Sequence, residues 1–357
     1  MDDFARRDAA DRRAYIEESA NRRDLTPTII EKDFWVCWTL RRLTRFPELA
    51  GHITFKGGTS LSKAHGIIAR FSEDIDLTIR RTAPLIEKIP SPMEEAISGN
   101  ERQRRTKALG TAAAEYVVTI AMPRLAAAIE DALGTGEGWS LELDPDDKAA
   151  QTLLFHYPRI SGYGFSYGAD YGGGAGGGYI KPRIKLEYGA RGDPEPHEER
   201  SITPYLAEDF PGELPGAVTA VETLSIARTF WEKATILHAL HHSGKIRDGL
   251  SRHYYDLVML ERAGVGTGAL EVPELLGQVV RNKSLMFADA AASYGTAVPG
   301  TLRLVPADKD KVALSADYSA MADMFMVAPP PFDELMAELA TLEAKLNADM
   351  AEAAVEA

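Results

Sequence analysis

A single cysteine, Cys37, stands in the whole chain of 357 residues, so no disulfide framework holds the fold. Its place in an apolar helical run fits a reducing compartment. No stretch approaches the roughly 18–20 consecutive apolar residues that a membrane span requires. The amino terminus, Met1 to Arg7, is charged and leads into no apolar core, which reads against a signal peptide. Together these absences predict a cytoplasmic protein with no membrane association. Positive charge is also short: 40 Lys and Arg against 53 Asp and Glu give a net charge of −13. General attraction to nucleic-acid phosphate favours the opposite sign, so any such contact must be local. Arg41, Arg42 and Arg45, or Arg102, Arg104, Arg105 and Lys107, could form small basic patches, although such clusters are ordinarily solvated helix faces. Internal repeats are missing, and so is the Gly-x-x-x-x-Gly-Lys-Ser/Thr loop of Walker-type nucleotide binders.

What is present is concentrated between residues 53 and 79. Ile53-Thr54-Phe55 reads as a short strand, and Lys56-Gly57-Gly58-Thr59-Ser60 follows it with an unhindered turn. Leu61, Ala64, Ile67 and Ile68 recur at helical spacing, which predicts a helix over residues 60 to 70 with Thr59 and Ser60 at its start. A helix start offers unpaired N–H groups to a phosphate. In Asp74-Ile75-Asp76-Leu77-Thr78-Ile79 the period is two, so Asp74, Asp76 and Thr78 share one face while the apolar residues turn to the core. Two neighbouring carboxylates repel each other unless a cation lies between them, and Mg²⁺ holding a triphosphate is the expected resident. Each half alone is common, as a glycine turn or the solvated face of an edge strand; the order and spacing of the two together carry the functional reading.

Gly-Gly-Thr-Ser, a spacer helix and then Asp-x-Asp resemble the nucleotidyltransferase superfamily related to DNA polymerase beta. Further blocks make the chain similar to the AbiEii/AbiGii toxin family, the toxin half of type IV toxin–antitoxin systems and kin of the MenT toxins. These are Ile30 to Trp35, Phe55 to Leu77, Lys185 to Arg191, Arg228 to Lys233 and Ser251 to Leu257. The resemblance implies an α+β fold: a polymerase-beta-like nucleotidyltransferase core, with a small mixed sheet and flanking helices, plus a C-terminal helical domain. It implies transfer of a nucleotide from an NTP to an acceptor, either tRNA or protein, with Mg²⁺ or Mn²⁺ as cofactor. A role in phage defence or growth inhibition, and an antitoxin encoded beside the toxin, follow from the same likeness.

The first fifty residues read as two helices, residues 4 to 23 and a second opened by Thr26 as cap and Pro27 at its first position. Residues 80 to 100 read as a proline-rich loop, and Glu101 to Leu133 as one long Ala-rich helix. Strand character returns at Trp139 to Leu143, Leu153 to His156, Tyr179 to Tyr188 and Val218 to Val221. The glycine-rich run 172–178 predicts a mobile loop, a slack connection or one that closes over substrate. Helices are expected at roughly 225 to 242, 251 to 264, 270 to 282, 317 to 326 and 331 to 348. The domain boundary falls near residue 222, giving a core of residues 1–222 and a helical domain of residues 223–357.

A metal-dependent phosphoryl transfer site favours a third carboxylate, and alternation in Arg183-Ile184-Lys185-Leu186-Glu187-Tyr188 places Glu187 opposite the apolar residues. If that strand neighbours Asp74 and Asp76, Glu187 joins them as metal ligand or as proton acceptor; otherwise it is an exposed strand charge, with Asp193 as the alternative. The family resemblance implies that Lys233 faces the nucleotide, beside Lys56, Gly57, Gly58, Thr59 and Ser60; by its sequence alone it could also snorkel to water. Asp256 belongs to the active site by resemblance, and by physics could equally be a structural ion pair with Arg252 or Lys233. His238, His241 and His242 lack a completing ligand and read as packed residues. Two other classes compete: a HEPN-type ribonuclease using Arg247 and His253, and a non-enzymatic NTP-binding sensor.

Overall fold

The computed structural model describes residues 1–135, 138–160 and 181–353, so the glycine-rich run 172–178 lies outside the described residues. Seven strands form one mixed sheet: β1 (Ile53–Lys56), β2 (Asp74–Ile79), β3 (Ser140–Leu143), β4 (Thr152–His156), β5 (Ile184–Gly189), β6 (His197–Ile202) and β7 (Thr219–Leu224). Their order is β3-β4-β5-β2-β1-β7-β6. At the centre β2 runs antiparallel to β1 and parallel to β5, with Asp74 opposite Lys185 and Asp76 opposite Glu187. Both expected carboxylate strands therefore lie side by side. Strand β6 was not legible: His-Glu-Glu-Arg-Ser-Ile has no apolar alternation because it is a solvent-facing edge, paired only to β7.

Helix α1 (Ala9–Arg23) and helix α2 (Pro27–Leu43) cover one face of the sheet. The Thr26 side chain accepts from the Ile29 amide at 3.4 Å and Pro27 takes the first turn, as the sequence predicts. Helix α2 is buried on nearly all sides. Its Trp35 and Trp38 stack on Tyr157 and Phe155, while its charges all find partners: Asp33 with Lys63 at 2.8 Å, Lys32 with Glu73, and Arg42 with Asp2 across the Trp38 ring. Arg41 and Arg42 of the basic cluster are thus structural, since Arg41 also donates to the Gly216 carbonyl, while Arg45 is half-exposed.

Helix α3 (Gly99–Leu133), capped by Ser98, follows the expected path, with a wide turn at Val117–Ala121 before Pro123. It corrects one expectation, because by length and composition it is apolar enough to cross a membrane. Here its Leu109, Ala113, Val117, Leu125 and Ile129 pack into the core beside the sheet.

Five longer helices follow, α4 (Ile226–Ser243), α5 (Ser251–Arg262), α6 (Pro273–Met286), α7 (Asp308–Ala320) and α8 (Phe332–Ala353), with a short one at Val265–Leu270 between α5 and α6. Helix α7 lies earlier than the expected 317 to 326, whose second half is a short turn and an extended piece. These helices share a second apolar cluster, built on Phe230, Trp231, Leu257, Leu260, Leu339 and Leu346. Two residues from the sheet side, Leu61 and Ile68, belong to it, and Met286 belongs to the first. Ala69 to Phe71 is further tied to the C-terminal region: the Phe71 amide donates to Met324 at 2.6 Å and the Met326 amide to Ala69 at 3.0 Å.

Candidate active site

The expected helix over residues 60 to 70 is cut short at Ala64. After one turn at Gly57–Thr59 and a wide turn at Ser60–Ala64 the chain becomes extended, because Ile67 and Ile68 are drawn toward the C-terminal cluster rather than along a helix face. The glycines are needed for close approach. Gly57 has φ +80°, and a Cβ there would lie 1.9 Å from Asp76 Oδ2. A Cβ on Gly58 would lie 2.6 Å from Ser72 Oγ and 2.7 Å from an Arg70 guanidinium nitrogen. The turn thus presses its backbone against the carboxylate strand.

Between this turn and helices α4, α5 and α6 lies a cavity of about 190 Å³. Its lining brings together Lys56, Gly57, Gly58, Asp74, Asp76, Glu187 and Lys233, as the sequence reading expected. Thr59 and Ser60 are not brought in: the Thr59 hydroxyl donates to the Asp74 carbonyl at 2.5 Å and the Ser60 hydroxyl to the Gly57 carbonyl at 2.8 Å. Both are buried and brace the turn. Asp193 pairs with Arg228 at 3.2 Å outside the lining, and Arg247 is exposed on a loop away from it.

Asp256 lies behind the cavity wall, fully buried. It accepts from Arg70 at 2.7 and 2.8 Å and from Lys233 at 2.7 Å. Its partners are thus Arg70 and Lys233, and not Arg252. Burial alone would raise this carboxyl, but the charges of Arg70 and Lys233 outweigh it and hold it well below the usual carboxylate range. Lys233 also donates to His253 Nδ1 at 3.0 Å, and burial together with the Lys233 charge keeps His253 neutral. That nitrogen is therefore occupied, which removes His253 as a free base of a ribonuclease pair.

The carboxylates show the opposite tendency. Asp74 is pushed up to about 7, first by burial and then by Glu73, Asp76 and Glu187. Asp76 is raised by burial and by Glu187. Across the cavity burial lowers Lys233 and Lys283. The cleft thus brings an acidic strand pair and a group of cations into one cavity, with Lys233 paired to Asp256 behind the wall. No three His, Cys, Asp or Glu side chains among the described residues form a closed metal cage, and Glu187 is hydrogen-bonded by Lys185. The donor set still fits Mg²⁺, which is commonly held by one or two carboxylates together with substrate phosphates.

Sequence reasoning missed Arg70, Ser72, Glu232 and Lys283 in the lining. Arg70 ended a supposed helix, and Lys283 is far from every motif along the chain. Lys32, in the Ile30 to Trp35 block, proves to anchor Glu73, the residue before Asp74.

A second cavity is a broad groove of about 1160 Å³, whose lining includes Ser284, the residue after Lys283 of the first. Arg102, Lys107, Lys148 and Arg191 line it, and its lining contains no carboxylate. Of the second basic cluster, Arg104 and Arg105 are instead held by Glu101 on the surface.

Comparison with known proteins finds one family model, described as the nucleotidyl transferase AbiEii toxin of type IV toxin–antitoxin systems, matching residues 38–338. Among solved structures, MenT4, a nucleotidyltransferase toxin from Mycobacterium tuberculosis, is 16% identical over 94% of this chain and 99% of its own, with a TM-score of 0.42. No curated protein matches.

Proposed function

Since the chain belongs to the AbiEii nucleotidyltransferase toxin family, we propose that it transfers an NMP from an NTP to an acceptor hydroxyl in a metal-dependent reaction at the Asp74–Asp76 cleft. The observation that supports this reading above the others is the separation of charge within one cavity. An acidic pair on β2 faces cations from α4, α5 and α6, and a metal–triphosphate satisfies both at once.

In this reading Asp74 and Asp76 hold Mg²⁺ or Mn²⁺, with Glu187 on the adjoining strand in reach. When bound, the metal would neutralise charge developing on the phosphate oxygens. The Gly57–Gly58 turn admits the phosphates close to the strand, and Lys56 and Lys233 supply cations. The acceptor oxygen bonds to the α-phosphorus, the bond from that phosphorus to the bridging oxygen of the β-phosphate breaks, and pyrophosphate leaves. The acceptor proton passes to Glu187 or to water. Asp256 keeps Lys233 and Arg70 charged and aimed from below.

The groove beside the cleft supports RNA over protein as acceptor, because a lining with four cations and no carboxylate suits a polyanion even on an acidic chain. The protein would then act in the cytoplasm, where NTP and tRNA are found, with an antitoxin as its natural restraint. Incubation with each α-labelled NTP, Mg²⁺ and total RNA tests the reading. Label on tRNA-sized RNA with wild-type protein, and none with Asp74→Ala/Asp76→Ala, is expected. A wild-type protein that binds NTP yet labels neither RNA nor protein would favour a sensor.

A further inference from the structure

Lys283 stands near the C-terminal end of α6, outside every sequence block that marks the site. Three contacts fix that helix end. Val279 is buried in the C-terminal cluster, Met286 is buried in the sheet-side cluster, and the Asn282 amide donates to the Arg191 carbonyl at 3.1 Å. Between these anchors the Lys283 side chain lines the same cleft as Gly57 and Gly58. Its ammonium makes no hydrogen bond and no ion pair among the described residues, only a contact at 5.0 Å from the Phe287 ring centroid. Lys233, by contrast, is already committed to Asp256.

We infer that Lys283 binds a phosphate of the nucleotide in the cavity it shares with the glycine turn. This rests on the NTP-site reading above. A side chain that merely extended to water would not need a helix end pinned by two cores and a backbone contact. The neighbouring Glu232 also lines the cleft, where one of its oxygens pairs with Arg228 at 3.4 Å; its charge acts on Lys283, with no hydrogen bond or ion pair joining the two side chains. Ser284, Leu285 and Met286, the next three residues, line the adjoining groove, so the same turn of helix borders both cavities.

The test is calorimetric titration of the full chain with each NTP and Mg²⁺, without any acceptor, followed by the corresponding nucleoside. For the NTP that binds wild-type protein, Lys283→Gln is expected to raise Kd about tenfold, the loss of one charge-assisted hydrogen bond. Lys283→Arg should restore most of the affinity, and nucleoside binding should be the same in all three proteins. Thermal melting checks that the variants are folded. Equal NTP affinity in wild type and folded Lys283→Gln overturns the inference while leaving the NTP site intact. A wild-type protein that binds no NTP overturns both together.

Discussion

At Asp74 the competing effects can be ranked. Burial and the charges of Glu73, Asp76 and Glu187 all favour the proton, and Lys32 opposes them without prevailing. The folded-state pKa of about 7 is above the reference 3.8. A group raised on folding contributes stability fully below its unfolded pKa and loses it as pH rises through the folded value. The metal-free protein should therefore lose stability from this group between about pH 4 and pH 7. Asp74→Asn should melt higher than wild type at pH 8 and show a flatter profile over that window, as thermal unfolding across pH would reveal. A wild-type profile that rises across the window would contradict the assignment. Gly57→Ala is the complementary case: a positive φ and a 1.9 Å approach to Asp76 cannot both accept a methyl group. A stability loss of roughly 1–3 kcal/mol and at least a hundredfold fall in transfer rate are expected, by urea unfolding and labelled-NTP turnover. Both residues were legible in the sequence because Gly-Gly and Asp-x-Asp carry their chemistry locally. The hydroxyls of Thr59 and Ser60 were less legible, because a hydroxyl can serve a ligand or its own turn, and here both donate within the turn.

Elements carry the next level of control. Helix α2 reads in the sequence as an apolar segment with awkward charges, and the reason for those charges is tertiary. Lys32 reaches Glu73 and the Lys181 carbonyl, which holds the entry to β2 in place. Lys32→Met leaves Glu73 without its cation and is expected to cost about 3 kcal/mol, with loss of transfer activity as Asp74 loosens. The double variant Lys32→Met/Glu73→Leu should recover most of the stability without recovering activity, since a buried pair replaced whole by apolar groups is often tolerated. Denaturant midpoints and turnover of the two variants separate these effects. The start of helix α2 was predictable from Thr26 and Pro27. The segment after Ala64 was not, because its helical spacing was overridden by packing of Ile68 against the C-terminal cluster and by pairing of Ala69 to Phe71 with Met324 to Met326.

For the whole molecule, the net charge of −13 hides a local arrangement that only the fold assembles. Arg102 and Lys107 come from α3, Lys148 from the turn before β4, and Arg191 from the chain after β5. No window of the sequence contains this groove. Arg102→Glu/Lys107→Glu/Lys148→Glu should leave NTP affinity within about twofold while cutting transfer to RNA by at least tenfold, with the greatest loss at low salt. Transfer to RNA unaffected by the triple variant would remove the groove from the acceptor path. The strands of the two carboxylate motifs and most of the C-terminal helices were readable in advance, while the adjacency of those strands was only a condition of the reading. The cation that completes the cleft from α6, Lys283, was not legible, since it lies outside every motif block and far along the chain from Asp74 and Asp76.

The claim that these parts share one purpose rests on the two separated charge groups being neutralised together by a metal–triphosphate. The most direct measurement is NTP affinity in Mg²⁺ and in EDTA, for wild type and for Asp74→Asn/Asp76→Asn. The account predicts at least tenfold tighter wild-type binding with Mg²⁺, and a double variant whose affinity no longer depends on the metal. Wild-type affinity that is the same in EDTA as in Mg²⁺ would contradict it.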